Sequence, residues 1–121
     1  MKLKFVLFAL FVVALIPAVF TISSARAQAT PRRIEVTASR FEFAPAEITV
    51  KKGEPVVIVL KSTDVAHGLS FEDLGVNVKV AKGQTAELSF TPTKVGDFVG
   101  KCSVFCGSGH GHMKLTLHVV E

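Results

Sequence analysis

Met113-Lys-Leu-Thr-Leu-His-Val-Val120 alternates apolar and polar side chains, so that Leu115, Leu117 and Val119 share one face. A period of two belongs to an extended strand lying on a core, because successive side chains point to opposite faces of a sheet. His118 falls between two of those apolar positions and is expected to face solvent. The same signature recurs outward along the chain. Pro55 to Lys61 (PVVIVLK) is short and almost wholly apolar, the pattern of a strand covered on both sides. Arg33 to Ala38 puts Ile34 and Val36 on one side, and Ala46 to Val50 does so with Ile48 and Val50 before the turn Lys51-Lys52-Gly53. Asn77 to Val80, Thr85 to Phe90 and Asp97 to Lys101 follow, separated by Lys82-Gly83 and by Pro92 to Gly96. No part of this body carries helical periodicity, and short strands at this spacing predict an all-β fold, a sandwich or barrel. Phe41, Phe43, Phe71, Phe90 and Phe98 are assigned to its core, and so is Phe105, with a place beneath the loop described below as its alternative, because phenylalanine offers large apolar area and no ligating atom.

Composition narrows the possibilities. The chain has 121 residues, room for one domain, with 14 basic and 10 acidic side chains. Lys2, Lys4 and Arg26 lie ahead of residue 28, so the body carries 11 basic against 10 acidic groups and a net charge of +1. Nucleic-acid binding needs a clustered basic face, which this balance does not provide. Apolar content of 49% excludes long disorder, and the length excludes a large enzyme with its own cofactor domain.

Residues 1–27 read as a secretory signal. Lys2 and Lys4 form a positive start, Phe5 to Ile22 is uncharged and apolar, and Ala25-Arg-Ala27 supplies a small-residue cleavage pattern. Cleavage after Ala27 leaves Gln28 to Glu121. The same apolar stretch is just long enough to act as an uncleaved anchor, and membrane contact is expected only in that case. Either way the body faces the periplasm or the extracellular side of the cytoplasmic membrane. Residues 28–33 read as a linker and 34–121 as the folded domain.

Both cysteines fall in one run, Cys102-Ser-Val-Phe-Cys106-Gly-Ser-Gly-His110-Gly-His112-Met113, a C-x3-C-x3-H-x2-M pattern. In an exported chain, two cysteines invite a disulfide between Cys102 and Cys106. That pairing leaves unexplained why an imidazole and a thioether share the same glycine-rich loop. Zinc takes thiolate and imidazole but not a methionine. Thioether beside thiolate and imidazole is the donor set of copper, since both sulfur types are soft. A single loop leaves a site open on one side. His67, alone after the apolar run at Pro55 to Lys61, is the candidate distant ligand, because loops at one end of a sandwich converge.

These residues carry a resemblance to a known family. The C-x3-C-x3-H-x2-M run resembles the dinuclear copper A domain of the cupredoxins, found in cytochrome oxidase subunit II and nitrous oxide reductase. Phe43-Ala-Pro45, Ile48-Thr-Val50 and Gly53 look like a cupredoxin's opening strands, and Asp64-Val-Ala-His67 with Leu74-Gly75-Val76 and Gly83-Gln84 is similar to the first-ligand segment of subunit II. The resemblance implies a cupredoxin-like Greek-key β-sandwich of antiparallel and mixed strands. It implies two coppers bridged by Cys102 and Cys106, one completed by His67 and Met113, the other by His110 and the backbone carbonyl of Val104. The implied function is single-electron transfer with no catalysis by the chain alone, between redox proteins such as a c-type cytochrome and a terminal oxidase or reductase. The chain departs from oxidase subunits in having no tryptophan, Val104 where glutamate is common, and at most one apolar segment ahead of the domain. Those departures favour a free-standing carrier. A periplasmic copper chaperone or store using the same Cys, His and Met ligands is the alternative, and His112 is either an exposed loop residue or a substitute ligand.

Overall fold

The computed structural model describes residues 30–121, so the expected leader lies outside the described residues. The described chain forms β1 (Arg32–Ser39), β2 (Glu42–Ala44), β3 (Glu47–Lys51), β4 (Val56–Ser62), β5 (His67–Phe71), β6 (Val76–Val80), β7 (Thr85–Phe90), β8 (Gly96–Lys101) and β9 (Lys114–Val120). Single 3₁₀ turns at Glu72–Leu74 and His110–His112 are its only helical residues among those described. β1 starts at Arg32, two residues ahead of the expected domain start.

The strands make two sheets, ordered β2-β1-β4-β7 and β3-β9-β8-β5-β6. Chain connections pass repeatedly from one sheet to the other, the crossed wiring of a Greek-key sandwich. Each sheet is mixed: β1 runs parallel to β4 with Val36 opposite Leu60, and β3 runs parallel to β9 with Ile48 opposite Leu117. The parallel pairs arise because β2 and β3 carry the chain across to the second sheet before β4 returns beside β1.

The period-two readings hold in detail. Leu115, Leu117 and Val119 are buried along β9, while Val56, Val57, Ile58 and Leu60 are buried on both sides of β4. Between the sheets, Val36, Ile58 and Leu60 meet Leu69, Phe71, Leu115 and Leu117 in one cluster. Each such side chain contributes about 1.5–3 kcal/mol of burial energy. The turns after β3 and β6 place Gly53 at φ 79° and Gly83 at φ 69°, conformations that cost any residue with a Cβ.

Two phenylalanines leave the positions expected of them. Phe43 and Phe71 are core and Phe90 and Phe98 pack partly buried against it, but Phe41 is 36% exposed and Phe105 is 79% exposed. Phe41 occupies the turn between β1 and β2, and Phe105 sits in the Cys102–Met113 loop beyond the end of β8. Neither lies on a strand face that the opposite sheet could cover.

What the fold does for function is set by β8 and β9. They are neighbouring antiparallel strands with Lys101 opposite Lys114, so the Cys102–Met113 loop leaves and re-enters the sheet at adjacent points. A hydrogen bond from the Cys102 N–H to the Met113 carbonyl, 3.2 Å, closes its base. β5 lies against β8 through Ser70 and Lys101, which brings His67, at the start of β5, to the same end.

Candidate metal centre

The loop turns its sulfur atoms inward. Cys102, Cys106 and Met113 are buried with the apolar core, and so is His67, at 0% exposure. His67 is not in a loop: it is the first residue of β5, paired with Val80. Cys102 and Cys106 are both free, their sulfurs 3.8 Å apart, against about 2.05 Å for a disulfide.

An imidazole nitrogen faces each sulfur. His67 Nδ1 lies 3.9 Å from Cys102 Sγ, and His110 Nδ1 lies 3.7 Å from Cys106 Sγ. Met113 Sδ is 3.8 Å from Cys106 Sγ, and the Val104 carbonyl oxygen is 3.2 Å from Cys102 Sγ. One donor atom from each of His67, Cys102 and Cys106 falls within a 4.8 Å cluster. All six expected ligand residues thus meet at one end of the sandwich. The spacings suit a metal: ligands about 2.0–2.3 Å from one ion in tetrahedral array stand about 3.3–3.8 Å from each other. His112 is exposed, two residues from His110 in the same 3₁₀ turn, and His118 sits on the outer face of the second sheet.

Burial, then the hydrogen bond and charge interaction with Cys102, push the Cys106 thiol from 9.0 up to about 11. The metal-free site therefore holds a proton on Cys106 at neutral pH, and a soft cation must displace it.

Three residues hold these ligands in roles that the sequence did not assign to them. Asp64 accepts from His67 Nε2 at 2.7 Å, from the Arg40 N–H at 2.7 Å and from the Val65 N–H at 2.6 Å. That leaves Nδ1 of His67 turned toward sulfur, the arrangement by which a carboxylate orients a metal-ligating histidine. Desolvation works to raise the Asp64 carboxyl, but the bonds from Arg40, His67 and Val65 outweigh it and hold the group at about 2. Arg40 donates from Nε to the Cys106 carbonyl at 2.9 Å. Phe41 lies flat on the glycine-rich part of the loop, where a Cβ on Gly109 would come within 2.5 Å of its ring. Gly68 is a further constraint, since a Cβ there would stand 2.1 Å from Ser103 Oγ. The i, i+3 spacing of Asp64 and His67 was the available signal for the carboxylate; Arg40 and Phe41 come from far away in sequence and left none.

Comparison with known proteins agrees with this fold. The sequence model of the Cupredoxin-like domain matches residues 12–116. The chain is 33% identical over 88 residues to a cytochrome c oxidase subunit 2 of Thermus thermophilus, covering 73% of this chain and 65% of that relative. A second cytochrome c oxidase subunit 2, from another source of the same species, has the same identity and is covered over 52% of its length. The chain therefore spans between half and two thirds of these relatives. Among solved structures, the periplasmic domain of subunit II of cytochrome oxidase from Bradyrhizobium japonicum superposes with a TM-score of 0.68 at 22% identity, covering 74% of this chain and 84% of that one.

Proposed function

The chain belongs to the cupredoxin-like domain family, and from that premise we propose that it is an exported copper protein that passes single electrons through a copper A-type dinuclear centre. The observation that carries this reading is the pair of free, buried thiols 3.8 Å apart with one imidazole nitrogen facing each sulfur. Cys102 and Cys106 would bridge two coppers as thiolates. His67 and Met113 would complete one, His110 and the Val104 carbonyl the other. Bound as a pair, the coppers would supply a one-electron couple whose charge change is spread over two nuclei and two sulfurs.

The chain's own part is to keep the ligands still and dry. His67, Cys102, Cys106 and Met113 are buried, Asp64 fixes the His67 ring, and Arg40 and Phe41 brace the loop from outside. A rigid ligand cage leaves little to rearrange when the electron arrives or departs. With every donor directed inward, no position is reserved for a substrate, which suits a carrier that is not itself an enzyme. The compartment would be the periplasm or the outer face of the cytoplasmic membrane. The partners would be a redox donor and acceptor, such as a c-type cytochrome and a terminal oxidase or reductase.

Exposed His112 beside His110 favours one rival, a chaperone or store that hands copper over from the rim. Copper content and the electron paramagnetic resonance spectrum, after loading with the thiols kept reduced, separate the two. Two coppers per chain with hyperfine structure from one electron shared by both nuclei are expected. One copper with a localised signal, or copper lost readily to a chelator, would overturn the carrier reading in favour of copper delivery.

A further inference from the structure

The outer face of the β3-β9-β8-β5-β6 sheet is charged unevenly along its length. At the ligand end, the strand register sets Asn77, Ser70, Lys101 and Lys114 in one row across β6, β5, β8 and β9. Lys79, opposite Gly68, stands on the same face one step nearer the ligands. Lys79, Lys101 and Lys114 are exposed, and none makes an ion pair among the described residues. Lys101 and Lys114 immediately adjoin the ligands Cys102 and Met113 in the chain. Val99, 44% exposed and opposite Thr116, is the exposed apolar residue that borders this lysine row on the side away from the ligands.

The acids lie elsewhere. Four residues back along β8, about 13 Å at strand rise, Asp97 is engaged with His118, and Glu72 and Asp73 follow the far end of β5. Glu47, opposite Thr116, is the one acid diagonal to Lys114, and it turns toward His118 Nε2 at 3.5 Å. Lysines placed directly opposite one another repel and weaken a sheet. Keeping Lys101 against Lys114 beside the ligand loop therefore runs against stability. A positive field next to the point of electron exit would raise the encounter rate with a negatively charged partner.

We propose that this lysine-framed face is the docking surface for a redox protein with an acidic patch around its own redox centre. The inference rests on the electron-carrier reading. One electron would leave the reduced copper centre and reduce the ferric haem of the docked partner to ferrous, with no proton or bond change.

Stopped-flow oxidation of the reduced, copper-loaded protein tests it with two ferricytochromes c, one acidic and one lysine-rich around the haem edge. At low salt the acidic cytochrome should react at least about tenfold faster, and the advantage should shrink as salt screens the charges. Lys101→Glu with Lys114→Glu should reverse the preference, and Lys101→Gln with Lys114→Gln should abolish it, with copper content and absorption spectrum unchanged. Equal rates with both cytochromes, or a preference that survives charge reversal, would overturn the docking proposal. Oxidation by an uncharged quinone keeps the two readings distinct. Normal transfer to the quinone without charge preference defeats the docking face alone, whereas no transfer to any acceptor defeats the carrier reading beneath it.

Discussion

Two histidine–carboxylate pairs in this molecule look alike by distance and do different things. His67 meets Asp64 at 2.7 Å, and His118 meets Asp97 at 2.6 Å. In the first, the carboxylate takes Nε2 and the remaining nitrogen faces the Cys102 sulfur inside the core. In the second, Asp97 takes Nδ1, Glu47 lies 3.5 Å from Nε2, and the ring rests on the outer face of a sheet. A carboxylate beside an imidazole is therefore not itself a sign of a metal site. The second ring nitrogen decides, and burial decides what that nitrogen can meet.

The largest effect expected from breaking this contrast is at His67. His67→Ala removes a fully buried ring and leaves Asp64 without its imidazole partner. The metal-free protein should lose about 2–4 kcal/mol in denaturant titrations, and bound copper should fall below two per chain. Asp64→Asn keeps the volume but changes the carboxylate that orients the ring. Copper affinity measured against a chelator should fall about 10–100-fold, with the protein still folded. Gly68→Ala tests the loop's seat beside His67. Its methyl group would lie 2.1 Å from Ser103 Oγ, and the loss of about 1–3 kcal/mol on melting should be partly recovered by adding Ser103→Ala.

The smallest effect belongs to His118. The hydrogen bond that His118 donates to Asp97 leads in raising its pKa above 6.5, with Glu47 adding to it. A raised folded-state value stabilises the protein below the unfolded value of 6.5, and that contribution is lost as pH climbs through the folded value. His118→Gln should flatten this decline in melting temperature above pH 6.5 while leaving copper content and spectrum as they were. A change in the spectrum would mean that the two pairs are not independent.

Legibility in the sequence followed how local each signal was. Thr85–Phe90 was readable to the residue because its alternation is complete within the strand. β5 was missed because His67 and Gly68 interrupt the apolar pattern, for reasons that belong to the site: one is a candidate ligand and the other admits Ser103. β2 is too short, at three residues, for any period to show. Four of the six candidate ligand residues announced their chemistry within a single run, and His67 was reached through convergence of loops and family resemblance. Val104 came only from the resemblance, since a carbonyl ligand leaves no mark on the side chain. Arg40 and Phe41 act on the loop across 66 or more residues of chain, and nothing local marks Arg40 as more than a surface residue or Phe41 as more than a core one. Phe105 shows the opposite failure, an apolar residue whose type suggested the interior and whose position in the loop denied it.

The position of β9 bears on timing. It lies between β3 and β8, yet it follows both in the chain. As residues emerge from first to last, the second sheet stays split until positions 114–120 arrive to fill the gap. Until then the base of the cysteine loop has no partner for its closing hydrogen bond, and the two thiols are carried on an unfinished edge. Parallel pairing of β3 with β9 across some 70 residues adds a slow search to that interval. Wherever oxidant reaches the thiols during that wait, order of assembly becomes a quality check. Only a chain that completes its sheet before its sulfurs join keeps the two free, buried thiols of the folded site.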